Sequence, residues 1–352
     1  MGKRLQGRGT GVLLALALLA AAGAQPGRGQ AAGGAEKPRK LVVSPMPRGQ
    51  LEELRRAAPS LTIVVARGES EALREVADAD GVYGFTSPEI FRQGKRLRWV
   101  QVGSAGVENV LTPEAIAHPA VITNAQRVYG PEIADHTFAM LLAFTRGLRQ
   151  LIPRQSSGEW RLPRGARLDE LQDKTMLIIG LGGIGTEVAR RAAAFGMRVL
   201  ATDPKEMAKP AFVTELAKPE RFHELLPRAD VLVSAVPLTK ETRGMIGERE
   251  FGLMKPGAYL INVSRGGVVD TAALVRALKS GRLAGAGLDV TDPEPLPTAS
   301  ELWAMENVII TPHIAGQSPG GRRRLFDLLK ENVRRFGAGE PLLNVVDKEK
   351  GY

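Results

Sequence analysis

Three side chains suited to proton and carboxylate chemistry stand behind apolar runs in the last third of the 352-residue chain. Arg265 follows A-Y-L-I-N-V-S, Glu294 lies in L-D-V-T-D-P-E-P-L-P, and His313 in T-P-H-I-A-G. A guanidinium is a permanent planar cation that grips a carboxylate through two parallel N–H bonds. A histidine beside a carboxylate has its protonated form stabilised, so it gives and takes back a proton near neutral pH. A set of this kind can hold an acid group while protonating the oxygen of a carbonyl under reduction. Gly266 and Gly267, directly behind the arginine, are expected to let backbone and substrate come close.

A second constellation, G-L-G-G-I-G at 180–185, follows the apolar run M-L-I-I and precedes the helix-forming T-E-V-A-R-R-A-A-A-F-G. In this G-x-G-x-x-G setting Gly180 permits a tight turn, Gly182 admits a diphosphate to the backbone, and Gly185 lets helix and strand pack closely. Gly183 and Ile184 add free amides at the positive end of the helix. Asp203 ends the next strand, 18 residues after Gly185. Its carboxylate suits ribose hydroxyls and repels a 2′-phosphate, which favours NAD; Lys205, two positions on, leaves NADP open.

These residues need a scaffold that delivers loops to one edge, and the apolar pattern supplies it. Runs at 40–44, 61–66, 81–86, 98–102 and 120–124 alternate with helix-sized spacers, the signature of buried parallel strands with crossover helices. A second series at 176–180, 197–203, 230–235, 259–263, 286–290 and 308–311 reads as six more strands. Both are expected to be doubly wound α/β sheets, with ligands beyond the strands' carboxyl ends. Residues 131–151 read as one long apolar helix opened by Pro131. Asp270 and Gly281 should cap the two ends of the helix between them. A last amphipathic helix at about 318–337 should return to the first sheet.

The net charge of +10 is concentrated at the start, since residues 1–40 hold seven Lys or Arg against Glu36 alone. The remainder is nearly balanced, so no nucleic-acid partner is expected, and Arg322 to Arg324 read as a solvated helix face. Lys3, Arg4 and Arg8 precede an apolar stretch of 14 residues that ends in Ala22-Gly23-Ala24. The stretch is short for a bilayer span and fits a secretory signal peptide over 1–24, followed by a flexible linker over 25–39. Export beyond the cytoplasmic membrane follows if the leader is real, and a cytoplasmic location if the start is misassigned. The only membrane association expected is through an uncleaved leader. With no cysteine, disulfides and thiolate sites are excluded, and no metal site is expected. His118, His136 and His223 have no carboxylate at a telling position and read as structural; Tyr129 reads as hinge packing.

The segments V-G-S-A-G-V-E-N-V (102–110), A-D-H (134–136), G-L-G-G-I-G (180–185), V-P-L-T-K-E-T-R-G-M-I (236–246), N-V-S-R-G-G-V-V-D (262–270), L-D-V-T-D-P-E-P-L-P (288–297) and T-P-H-I-A-G (311–316) carry a resemblance. Across about 40–346 the chain is similar to the D-isomer-specific 2-hydroxyacid dehydrogenases. The resemblance implies a Rossmann NAD-binding domain (143–316) inserted into a flavodoxin-like substrate domain (40–142 and 317–346), and a homodimer. It also implies hydride transfer between NAD(H) and a small 2-oxo or D-2-hydroxy acid. Arg265 would bind the carboxylate, Glu294 would hold His313, and His313 would act as acid/base. Ser104, Ala105 and Gly106 would grip the carboxylate with amides, and Val236, Pro237, Thr242, Val263, Asp289 and Gly316 would join the glycine turn around the cofactor. Asp135 stands where relatives commonly have glutamate. Formate dehydrogenases have an amide in place of Glu294; a phosphite dehydrogenase or a non-catalytic NAD sensor on the same fold stays open. The loops at 83–88 and 102–107 carry no charge pattern that fixes the substrate's side chain.

Overall fold

The computed structural model describes residues 40–165 and 168–352; the expected leader and linker lie outside the described residues. Among the described residues twelve strands fall into two series, most of them separated by helices. The first series is β1 (Lys40–Val43), α1 (Arg48–Ala57), β2 (Thr62–Val65), α2 (Glu69–Val76), β3 (Gly81–Tyr83), α3 (Pro88–Gln93), β4 (Trp99–Gln101), α4 (Pro113–Ala117) and β5 (Val121–Thr123). Two consecutive helices follow, α5 (Gly130–Thr145) and α6 (Leu148–Ser156). The second series runs β6 (Thr175–Ile179), α7 (Gly183–Ala194), β7 (Arg198–Thr202), β8 (Glu215–Ala217), α8 (Phe222–Leu225), β9 (Val231–Ser234), α9 (Glu248–Leu253), β10 (Ala258–Asn262), α10 (Thr271–Lys279), β11 (Leu283–Leu288) and β12 (Val308–Ile310), before the closing helix α11 (Pro319–Ala338).

All strand pairs are parallel. The first sheet has the order β2-β1-β3-β4-β5 and the second β12-β11-β10-β9-β6-β7-β8. These are the flavodoxin-like and Rossmann orders, and each reverses direction beside its first strand, which opens a crevice there. Burial on both faces explains the apolar runs: every residue of β6 and β9 is buried. The cap residues act as expected, with the Asp270 carboxylate accepting from Ala273 N at 3.0 Å and Gly281 left-handed at φ 71°.

Three departures from the sequence pattern have physical causes. The expected helix over 131–151 is two helices, because Gly147 adopts φ 68° and ends α5's direction. A seventh strand, β8, joins the edge of the second sheet; its E-L-A stretch is too short and polar to read as a strand. β11 starts three residues before the apolar run, through Leu283-Ala284-Gly285, where an added Cβ on Gly285 would press on Phe144 of α5.

α11 packs on the first sheet, placing Leu329, Val333 and Phe336 with Leu41, Val43 and Trp99. A buried polar ladder fixes its register. Trp99 Nε1 donates to Thr123 Oγ1 (2.8 Å), Thr123 Oγ1 to Gln101 Oε1 (2.9 Å), and Asn332 Nδ2 of α11 to the same Gln101 oxygen (2.9 Å). Asn332 also donates to Leu343 O at 3.2 Å and accepts from Leu343 N at 2.8 Å, and is itself fully buried. Buried polar groups stripped of partners cost roughly 1–3 kcal/mol each. Asn332→Leu strands both Leu343 groups, so urea unfolding should show a stability loss of about 2–3 kcal/mol with little change in slope.

Candidate active site

The glycine turn sits where β6 meets α7, and each glycine has a distinct steric reason. Gly180 is left-handed at φ 88°, and an added Cβ would stand 2.7 Å from Ala235 O. At Gly185 it would lie 1.9 Å from Gly180 O, so only glycine lets helix and strand meet. At Gly182 it would meet nothing within 4 Å, so that face of the turn is open. Among the described residues the amides of Gly182, Gly183, Ile184 and Gly185 find no acceptor, because α7 has no side-chain cap and only Thr186 N returns to Gly182 O. An open cradle of free amides at the positive end of a helix fits a dinucleotide's diphosphate. The side chain of Ile184 packs into the core beneath.

Asp203 is buried at the end of β7. One carboxylate oxygen accepts from Leu181 N and the other from Lys205 N, both at 2.8 Å, so it ties the glycine turn to the strand end where a ribose would lie. The Lys205 ammonium stands 4.8 Å from the centre of the Tyr352 ring. Across the crevice Val236 flanks Gly180. Thr242 folds its own loop, donating to Pro237 O (2.7 Å) and accepting from Thr239 N (2.8 Å). Val263 is buried after β10, and Gly316 lies against the Tyr129 ring.

Glu294 and His313 meet, with 2.6 Å between Nδ1 and the carboxylate oxygen. That contact leaves the imidazole Nε2 as the outward nitrogen. His313 is left-handed at φ 52°, and Asp289 holds it there. Asp289 O accepts from His313 N (2.9 Å), while its buried carboxylate accepts from Thr311 Oγ1 (2.6 Å), Ile314 N (3.0 Å) and Ala315 N (3.0 Å). The glycines behind Arg265 also let two loops approach each other. An added Cβ at Gly266 would stand 1.9 Å from the carbonyl carbon of Thr291, and one at Gly267 3.1 Å from the Asp292 carboxylate. The close approach is therefore between the loop bearing Arg265 and the loop bearing Glu294.

The wall at 103–106 comes from the end of β4. Its carbonyls are all occupied: Gly103 O by Tyr129 Oη (2.5 Å), Ser104 O by Ala125 N (2.9 Å), Ala105 O by Asn124 Nδ2 (2.7 Å) and Gly106 O by Ser104 Oγ (2.7 Å). Among the described residues the four amides of the same segment have no acceptor. The Arg265 guanidinium closes on this strip. Its Nε donates to Glu108 (2.5 Å), its Nη1 to Ser264 O (2.7 Å), and its Nη2 lies 1.8 Å from where a Cβ on Gly106 would be.

Several participants escaped the sequence reading. Glu108 lay inside a quoted motif, but its partner is 157 residues away. Buried Asn124 holds the wall, and the T-N-A-Q turn it belongs to was its only signal. Tyr129 caps α5 and reaches the wall; burial, with Tyr83 and Glu132 nearby, pushes its phenol up to about 12, so it stays a neutral donor. His136, on the same helix, bonds Thr311 Oγ1 at 2.9 Å. Since Thr311 gives its proton to Asp289, His136 Nε2 must donate. His223, read as lacking a carboxylate, pairs with Glu250 at 2.8 Å, away from the crevice on α8 and α9. His118 bonds only backbone, to Gly94 O and Ala120 N.

Residues 138–315 match the family described as D-isomer specific 2-hydroxyacid dehydrogenase, NAD binding domain. A glyoxylate reductase of Thermococcus gammatolerans is 39% identical over 329 residues, 89% of this chain and 97% of that relative. A D-isomer specific 2-hydroxyacid dehydrogenase family protein from Aeromonas salmonicida superposes with a TM-score of 0.77 at 30% identity, covering 89% of this chain and all of that one. An NADPH-dependent glyoxylate/hydroxypyruvate reductase of Sinorhizobium meliloti, solved with NADP and sulfate, gives 0.76 at 28% identity, with 89% and 100% covered. The chain thus belongs to the D-isomer specific 2-hydroxyacid dehydrogenase family and is an oxidoreductase that moves a hydride between NAD or NADP and 2-hydroxy or 2-oxo acids.

Proposed function

We propose that the enzyme reduces a small 2-oxo acid, glyoxylate first among candidates, using Arg265, Glu294 and His313. The observation that carries this reading is the strip of four unspent amides at 103–106, which the Arg265 guanidinium meets at Gly106. Fixed donors and a forked cation make a carboxylate seat that needs little reorganisation. Arg265 orients the acid group and polarises the adjacent carbonyl. Glu294, on Nδ1, fixes the ring and aims Nε2 outward, so His313 can deliver the proton to the oxygen and retrieve it in the reverse direction. The bound nicotinamide supplies the hydride. Asp203 supports a preference for NAD, since a 2′-phosphate would meet its buried charge. Glyoxylate reductases among the relatives support the small substrate.

The division into a substrate domain (40–142, 317–346) and a cofactor domain (143–316) belongs to the same proposal; each sheet has a core of its own, and α5, from Ile133 to Leu142, packs into that of the second. So does a homodimer. α6 buries none of its residues; Ile152 is 62% exposed, and Leu148, Trp160 and Leu162 are exposed beside it. Exposed apolar side chains at i and i+4 of one helix, Leu148 and Ile152, suit a second copy of the chain. The basic and apolar N-terminal segment supports export, which N-terminal sequencing of the native protein would decide.

His313→Asn should leave NADH binding nearly intact and lower glyoxylate-dependent NADH oxidation by about 10²-fold or more. Equal turnover would remove His313 as the acid, and tight NADH binding with no turnover of any 2-oxo acid by the unaltered enzyme would point to a sensor. In sedimentation the unaltered chain should run as a dimer and Ile152→Asp as a monomer; identical behaviour would place the interface elsewhere.

A further inference from the structure

The turn between β5 and α5 lies directly on the glycine turn. Position 183 has no room for a side chain: an added Cβ would stand 2.7 Å from Arg127 Cα and 3.0 Å from Arg127 Cγ. Gly130 approaches from the same turn, where an added Cβ would be 2.7 Å from Gly183 O. The first residues of α5 and α7 therefore pack together, and the Arg127 side chain leaves from beside the free amides of 182–185. Arg127 is exposed and makes no hydrogen bond or ion pair among the described residues.

Its backbone is left-handed at φ 66°. That conformation costs a residue with a Cβ about 1 kcal/mol and costs glycine almost nothing. An arginine here is strained, solvent-facing and without a protein partner. Strain of this kind, held beside a ligand cradle, marks a side chain kept for what it binds.

We infer that Arg127 is a diphosphate-binding residue: its guanidinium pairs with the dinucleotide's phosphate oxygens as they lie on the 182–185 amides. The residue comes from the turn after β5, outside the glycine motif, so the cation is supplied to the cofactor by the lobe that carries the 103–106 wall. The inference rests on the cofactor lying along the glycine turn.

Two substitutions separate the inference from that premise. Arg127→Gly removes the fork and the strain together. Its melting temperature should be unchanged or higher, while NADH and ADP-ribose, followed by fluorescence titration and displacement, should bind roughly tenfold more weakly. Adenosine, which has no phosphate, should bind as before, and the salt dependence of NADH affinity should flatten. Unchanged NADH affinity, an equal loss for adenosine, or a marked fall in melting temperature would each overturn the role. Gly182→Val is the control, since its added side chain enters open space in the protein and only obstructs the cradle. NADH binding should be lost with the fold intact. If this variant also binds NADH normally, the cofactor lies elsewhere and the premise itself fails.

Discussion

Backbone amides are obligatory donors, and in two places this fold spends the carbonyls of a segment while leaving the amides free. At 182–185 the cause is general, because the first turn of any helix lacks partners for its N–H groups. At 103–106 it is particular. Tyr129, Ala125, Asn124 and Ser104 each take one carbonyl, so the peptide planes are fixed with their N–H groups turned the other way. Both strips are short of acceptors, and both lie at the carboxyl ends of parallel strands. Anions are what such segments bind, and a reaction between a dinucleotide and an acid brings two of them.

The acid/base loop is held by a different means. A left-handed histidine costs on the order of 1–2 kcal/mol. Against that stands the buried Asp289 carboxylate with one hydroxyl and two amide donors on the same loop. Hydrogen bonds to charged groups contribute about 1.5–3 kcal/mol each, so the strain is outweighed even if two of the three are weak. Those donors also compensate the burial of the charge itself. The carboxylate that the resemblance puts beside the nicotinamide is thus first of all the brace of His313. Its second support runs through Thr311 to His136 on α5, the helix whose cap residue Tyr129 holds the 103–106 wall. One helix therefore braces both the wall and the acid/base loop.

Most of this scaffold was legible because buried parallel strands write themselves as apolar runs, and because Gly180 and Gly185 are irreplaceable for local reasons. What was not legible depended on distance along the chain or on weak local pattern. β8 is three residues at a sheet edge with one buried position, so no period could announce it. The break at Gly147 was visible as a residue but not as an event, since a lone glycine inside an apolar helix is often tolerated. Glu108, His136 and the Gly266 to Thr291 approach are contacts between segments distant along the chain, and no local rule pairs them. The carboxylate partner of His223 was out of sight for the same reason: Glu250 lies on another helix.

Arg265 shows why loop contacts matter to the chemistry as well as to the fold. Its three groups of donors point three ways: to Glu108 just beyond the wall, to the backbone of its own strand end, and toward the strip at Gly106. A lysine ammonium on a flexible stem could serve one of these directions at a time. The planar fork instead clasps the wall to the second sheet while keeping an N–H face for an acid group. With Glu108 neutralising part of its charge, the cation alone is a modest anion trap. On the proposed reading it becomes a strong one only where the amides of 103–106 add their donors, which would confine tight binding to a carboxylate placed between the two.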